Sequence, residues 1–176
     1  MSNHSLEEIA AAVAQIAFTN NWKEDIKTLM KLHSFKKQKS KLKSEILIFL
    51  YFTGDMGIVA AIKDQLQRKT LRDYYRRLWE KEWEKFIGAS TPSTSEKMEI
   101  RWNGYLKAME DYDNQYETKP VAWYMARYFC STCDAEAIDT VMISTKIFHD
   151  KLIAISGFLK ENTEEIKEEN KKQNEK

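Results

Sequence analysis

A chain of 176 residues with 43% apolar and 12% aromatic side chains can bury one ordinary core, or two small bundles sharing one. Its 5 glycines and 2 prolines are too few for the many turns of an all-β protein, so helices joined by short polar loops are expected. The net charge of +1 is too weak a field to imply nucleic-acid binding by itself, although it hides a polarity: residues 1–90 hold 16 Lys/Arg against 11 Asp/Glu, and residues 91–176 hold 12 against 16.

Ser5-Leu6-Glu7-Glu8 spells a capping box, followed by an apolar stripe at Leu6, Ile9, Val13, Ile16 and Ala17. Asn20-Asn21 ends this helix, and Trp22 opens the next, with Ile26, Leu29, Met30 and Leu32 inward. From Lys36 to Lys43 five lysines fall in eight residues, which predicts an exposed loop or a frayed end. Ser44 is expected to cap a helix that is apolar on every side from Ile46 to Phe52, and so central to the bundle. Thr53-Gly54-Asp55 reads as a break, followed by a short helix over 58–67 with Val59, Ile62 and Leu66 facing in. A longer helix over 71–87 turns Leu71, Tyr75, Leu78, Trp79 and Phe86 inward, with Trp83 beside them. Residues 88–94 form the clearest linker. Ser95 caps a helix bearing Ile100, Trp102, Tyr105, Leu106 and Met109. Pro120 starts another over 121–129, and Asp134 caps a last one carrying Ile138, Val141, Met142, Ile147 and Phe148. The expected fold is all-α, a bundle of about seven to eight helices: 1–90 as one bundle, 95–160 as a second sub-bundle packed on it, and 161–176 as a polar tail. An echo of Phe18-Thr19-Asn20-Asn21 in Phe52-Thr53-Gly54-Asp55, 34 residues on, leaves stacked helical hairpins as an alternative.

The opening residues are polar and acidic, unlike a secretory signal, and the longest apolar run is seven residues against the roughly 20 of a membrane span. A soluble, intracellular protein with Cys130 and Cys133 reduced is expected, with no membrane partner. Nothing in the motifs points to catalysis, a cofactor, a resident metal or a small-molecule substrate. His4, His33 and His149 share no motif, and no phosphate-binding glycine loop occurs. Cys130-x-x-Cys133 supplies at most half a zinc site, with His149 the one histidine downstream; a pair of buried helical thiols is the plainer reading. The acidic group Glu110, Asp111, Asp113 and Glu117 lacks the offsets and glycine of a metal loop. Of the five tryptophans, most belong to the core and a minority are candidate anchors for a partner.

Within residues 53–90, Thr53-Gly54, then Val59 with Ile62-Lys63, then Leu78 and Trp83, then 86–90 follow one another in an order that resembles the second half of the N-terminal LW domain of transcription elongation factor S-II, in its Spt-interacting branch. The resemblance covers about 22–90 and implies a nuclear module without catalysis. Such a module docks a short disordered segment of another transcription protein in a groove between helix pairs. The partner-binding residues it implies are Thr53, Gly54, Lys63, Arg68, Lys69 and Trp83, taking an acidic-hydrophobic peptide. Two other readings stand beside it: a basic helical nucleic-acid binder acting through Lys36 to Lys43, and a helical-repeat scaffold of viral or bacterial origin.

Overall fold

Ser5 and Glu8 exchange hydrogen bonds at 2.7 and 3.2 Å, and the chain turns helical from the next residue, as the capping box requires. A computed structural model describes residues 5–19, 22–36, 38–88, 92–114 and 119–174, with side chains except those of 19, 39–40, 92–93, 111–114 and 163–174. Helix α1 (Leu6–Ala14) runs into a π turn (Gln15–Thr19); α2 is Trp22–Met30, α3 a single turn (His33–Lys36), α4 Lys39–Ala61, α5 Gln65–Phe86, α6 Pro92–Asn114, α7 Val121–Thr132 and α8 Ile138–Asn174. No strand occurs among the described residues, so the all-α class holds.

Helix α4 is the axis of the molecule. Ile46, Leu47, Ile48, Phe49, Leu50 and Phe52 are all buried, because α2, α5, α6, α7 and α8 surround it. Phe49 meets Tyr105 of α6 edge-on at 5.0 Å and Phe129 of α7 at 5.7 Å. One buried apolar cluster extends from Ile9 to Leu159. Helix α1 packs on α5 and also on α8, so the first and last helices meet. That closure is foreign to a stack of hairpins, in which each unit touches only its neighbours. The stretch Lys41–Ala61 is long and apolar enough to cross a membrane, which a seven-residue apolar run did not suggest, but 72% of its apolar window is buried by the other helices.

Several punctuation signals lie inside helices. Thr53-Gly54-Asp55 does not break the chain: α4 continues through it to Ala61. Thr53 Oγ1 donates to Phe49 O at 2.9 Å, Gly54 lets Tyr75 approach the backbone, and Asp55 accepts two hydrogen bonds from Arg72 at 2.6 and 2.9 Å. Ser44 likewise sits within α4, donating to Lys41 O. The expected helix over 58–67 is instead the end of α4, a linker at Ile62-Lys63-Asp64, and the start of α5, where Asp64 accepts from the Gln67 amide. Ile62 is buried there, but Leu66 is 74% exposed, not inward. Helix α6 begins at Pro92, ahead of Ser95, and leaves Ile100 and Leu106 exposed. Asp134 is no N-cap: with φ 53° it turns the chain after α7, four residues before α8, and its carboxylate binds Lys41 at 2.6 Å. Ile138 and Met142 are exposed on α8. Asn20, Asn21 and Glu117 lie outside the described residues, as do the side chains of Asp111 and Asp113.

Three carboxylates tie helices together from within through ion pairs. Glu45 is fully buried and accepts from Arg101 at 2.7 and 2.9 Å, with Lys97 at 2.9 Å. Asp55, also fully buried, is held by Arg72. Lys151 of α8 stands 3.1 Å from Asp25 of α2 and donates to Ile16 O in the π turn at 3.3 Å.

Candidate functional site

Helices α4, α5 and α6 leave between them a cleft of about 270 Å³ whose floor is aromatic. Tyr51 comes from the outer face of α4, Trp79 from α5, and Trp102 with Met98 from α6. The rings touch in a chain: Tyr51 lies 5.2 Å from Trp79 and 6.4 Å from Trp102, centroid to centroid, and stacks on Tyr75 at 5.4 Å. Trp79 is locked from behind, its indole donating to Leu47 O at 2.9 Å. An indole fixed by its N–H and packed by neighbouring rings has little freedom left to lose on binding.

The walls are charged. Arg72 and Arg76, one turn apart on α5, flank the floor, with Glu80 a turn further on and Glu99 opposite on α6. Arg72 is committed to Asp55 and lies 5.9 Å over the Trp102 ring. Arg76 pairs with Glu80 at 3.0 Å. Glu99 makes no ion pair with any described residue. Burial, with Asp55 nearby, pushes the Tyr51 phenol up to about 12, so it remains a neutral hydroxyl at physiological pH.

None of the six residues implied by the resemblance lines this cleft. Thr53 and Gly54 are buried in mid-α4, and Trp83 is buried near the end of α5. Lys63, Arg68 and Lys69 cluster at the other end of α5. Fourteen or more helical residues separate that cluster from Trp83, roughly 21 Å of helix. The residues that do converge left a trace in the sequence: Arg72, Arg76 and Glu80 at four-residue spacing beside Trp79, and Met98 four before Trp102. Nothing in either row marks it as a wall facing the other, which only the α5–α6 turnaround creates.

Two further grooves are larger and hold fewer aromatic rings, Tyr124 and Tyr128 in the first and Trp123 in the second. One of about 460 Å³ between α6 and α7 is edged by Lys107, Arg127, Ser131 and Glu136. The other, about 390 Å³, lies between the start of α7 and α8, where Trp123, Met142 and His149 meet. His149 is thus at the surface, whereas Cys130 and Cys133 are buried, and among the described residues no three His, Cys, Asp or Glu side chains form a group able to hold a metal. Burial pushes the Cys130 thiol up to about 11 and Cys133 to about 12. In the lysine-rich run, Lys41 is spent on Asp134 and Lys43 is half-buried.

Fold and cleft together define an all-α helical bundle with an aromatic crevice in its side. Set against protein-family models, curated proteins and solved structures, the chain matches none.

Proposed function

We propose that this chain is a non-catalytic protein-binding module that seats one side chain of a partner's short segment in the Tyr51–Trp79–Trp102 cleft. The observation that carries the reading is an aromatic floor in a crevice of about 270 Å³. Small-molecule sites run from about 300 to 1,000 Å³. Tryptophan and tyrosine in a pocket are the residues on which binding energy between proteins concentrates. The buried groups with chemical potential support a binding role: both thiols are held protonated, and the Glu45 and Asp55 carboxylates are occupied by arginines.

A partner among transcription-elongation proteins in a nucleus is supported by the resemblance over 22–90 alone. The unbroken α4 removes the Thr53–Gly54 turn and the separate short helix of Val59 and Ile62-Lys63 from that support and leaves Leu78, Trp83 and the 86–90 segment.

The test is selection of random peptides on the purified protein, followed by their binding to Ser95→Trp. Ser95 is exposed at the cleft mouth, so a large ring there fills the cleft without entering the core. Selected peptides should lose at least tenfold in affinity while the helical circular dichroism stays unchanged. Undiminished binding to Ser95→Trp places the interaction elsewhere.

A further inference from the structure

Building on that reading of the cleft, we infer that its occupant is a cationic side chain, an arginine or lysine of the partner, with its apolar stem on the rings and its charge against Glu99. This is the opposite sign to the acidic peptide that the resemblance implied. Arg72, which lines the cleft, is already neutralised by the fully buried Asp55, through two hydrogen bonds of 2.6 and 2.9 Å. Arg76 is matched by Glu80 one turn along the same helix. Glu99 remains, a wall carboxylate with no ion-pair partner among the described residues. Counted with Asp55, the cleft carries two positive and three negative charges.

The floor favours the same ligand. Aromatic faces attract cations through the ring quadrupole, most strongly for tryptophan. The molecule already uses this arrangement on itself, with the Arg72 guanidinium over Trp102 at 5.9 Å. Long cationic side chains also bury an alkyl stem while keeping the charge near water, which suits a crevice with an apolar floor and a carboxylate at its rim. An acidic side chain in the same place would meet Glu99 and Glu80 and find both arginines engaged.

The experiment follows the Trp79 and Trp102 indole N–H signals by NMR in the full chain, titrated with butylguanidinium, butyltrimethylammonium and butyrate. Both cations should shift these signals and bind at least tenfold more tightly than butyrate. Glu99→Gln should weaken the cations about 3–5-fold, the upper part of the range for a solvent-exposed ion pair, and leave butyrate unchanged or improved. Preference for butyrate, silence with all three probes, or indifference to Glu99→Gln overturns the inference. Preference for butyrate at the same indoles would leave the cleft a side-chain site of the other sign. Loss of the protein-binding reading itself comes instead from peptides that ignore Ser95→Trp.

Discussion

The hydroxyl of Tyr75 occupies the space that a Cβ on Gly54 would need. From there it donates to Leu50 O at 3.0 Å, so α5 reaches the backbone of α4 here as it does where Trp79 meets Leu47 O. Glycine inside a helix costs about 0.5–1 kcal/mol relative to alanine, and here that cost is offset by a close crossing that no other residue permits. Gly54→Ala should therefore destabilise by about 1–3 kcal/mol through overpacking, against its helix propensity. Tyr75→Phe, which loses one hydrogen bond worth about 1 kcal/mol, should make the added methyl better tolerated. Urea denaturation of both single variants and the double variant checks this. Strict additivity would show that the two positions do not compete for space.

Glu45 and Asp55 are both buried and both held by arginine, yet they titrate in opposite directions. Burial pushes each upward. At Glu45 the hydrogen bonds from Arg101 and Lys97 win, and the carboxyl ends below its ordinary 4.5. At Asp55 burial outweighs Arg72, and the carboxyl ends above its ordinary 3.8. Glu45 thus contributes stability that is present above about pH 4.5 and lost as pH falls through its folded-state value. The contribution of Asp55 is complete below about pH 3.8 and is lost as pH rises through its folded-state value. Glu45→Gln should lower the thermal midpoint more than Asp55→Asn at about pH 7, and should bring the midpoints at about pH 7 and about pH 3.5 closer together. Calorimetry across that range reads both effects, and the reverse ranking would refute the assignment.

Cys130 and Cys133 should behave as inert core residues. Burial is the largest influence on each thiol, and at about pH 8 only on the order of one Cys130 in a thousand is thiolate. Neither should react with an aromatic disulfide reagent in the native protein over an hour, and both should react within minutes in strong urea. Fast labelling of either thiol in the native protein would mean that the α7–α8 junction opens.

Leu66 and Ile62, four residues apart, should respond very differently to the same change. Leu66 is 74% exposed and Ile62 is 4% exposed. Leu66→Ser should stay within about 0.5 kcal/mol of the parent, while Ile62→Ser should lose on the order of 3 kcal/mol. Equal losses in urea denaturation would restore the inward-facing Leu66 that helical spacing suggested.

What the sequence made legible was whatever depends on one helix alone. The Ser5–Glu8 box, the inward stripe Leu71, Tyr75 and Trp79, and the apolar 46–52 segment are local patterns that survive packing. What it misplaced depends on two helices at once. Thr53-Gly54-Asp55 carries every mark of a turn, but each residue is claimed by a contact: Phe49 O, the Tyr75 hydroxyl and Arg72. The cleft was illegible for the same reason. Tyr51 and Trp102 lie 51 residues apart and meet only because α5 and α6 double back across α4.

Lys151 shows how a charge can be kept inside such a bundle. It joins α8 to Asp25 of α2 and to the Ile16 carbonyl, which lies in the π turn after α1. Burial holds the Asp25 carboxyl above its ordinary 3.8 despite the pull of Lys151, so the ion pair recovers only part of what desolvation costs. Two consequences follow from that imbalance. Lys151→Met should destabilise by about 3 kcal/mol, since it strands a carboxylate at 17% exposure. Asp25→Leu added to Lys151→Met should recover most of that loss, because the apolar pair has no charge to desolvate. Amide exchange at 15–19 should quicken in Lys151→Met and stay quick in the double variant, as Ile16 O has lost its donor in both. Recovery of stability together with recovery of slow exchange would mean that the π turn is held by packing and not by Lys151.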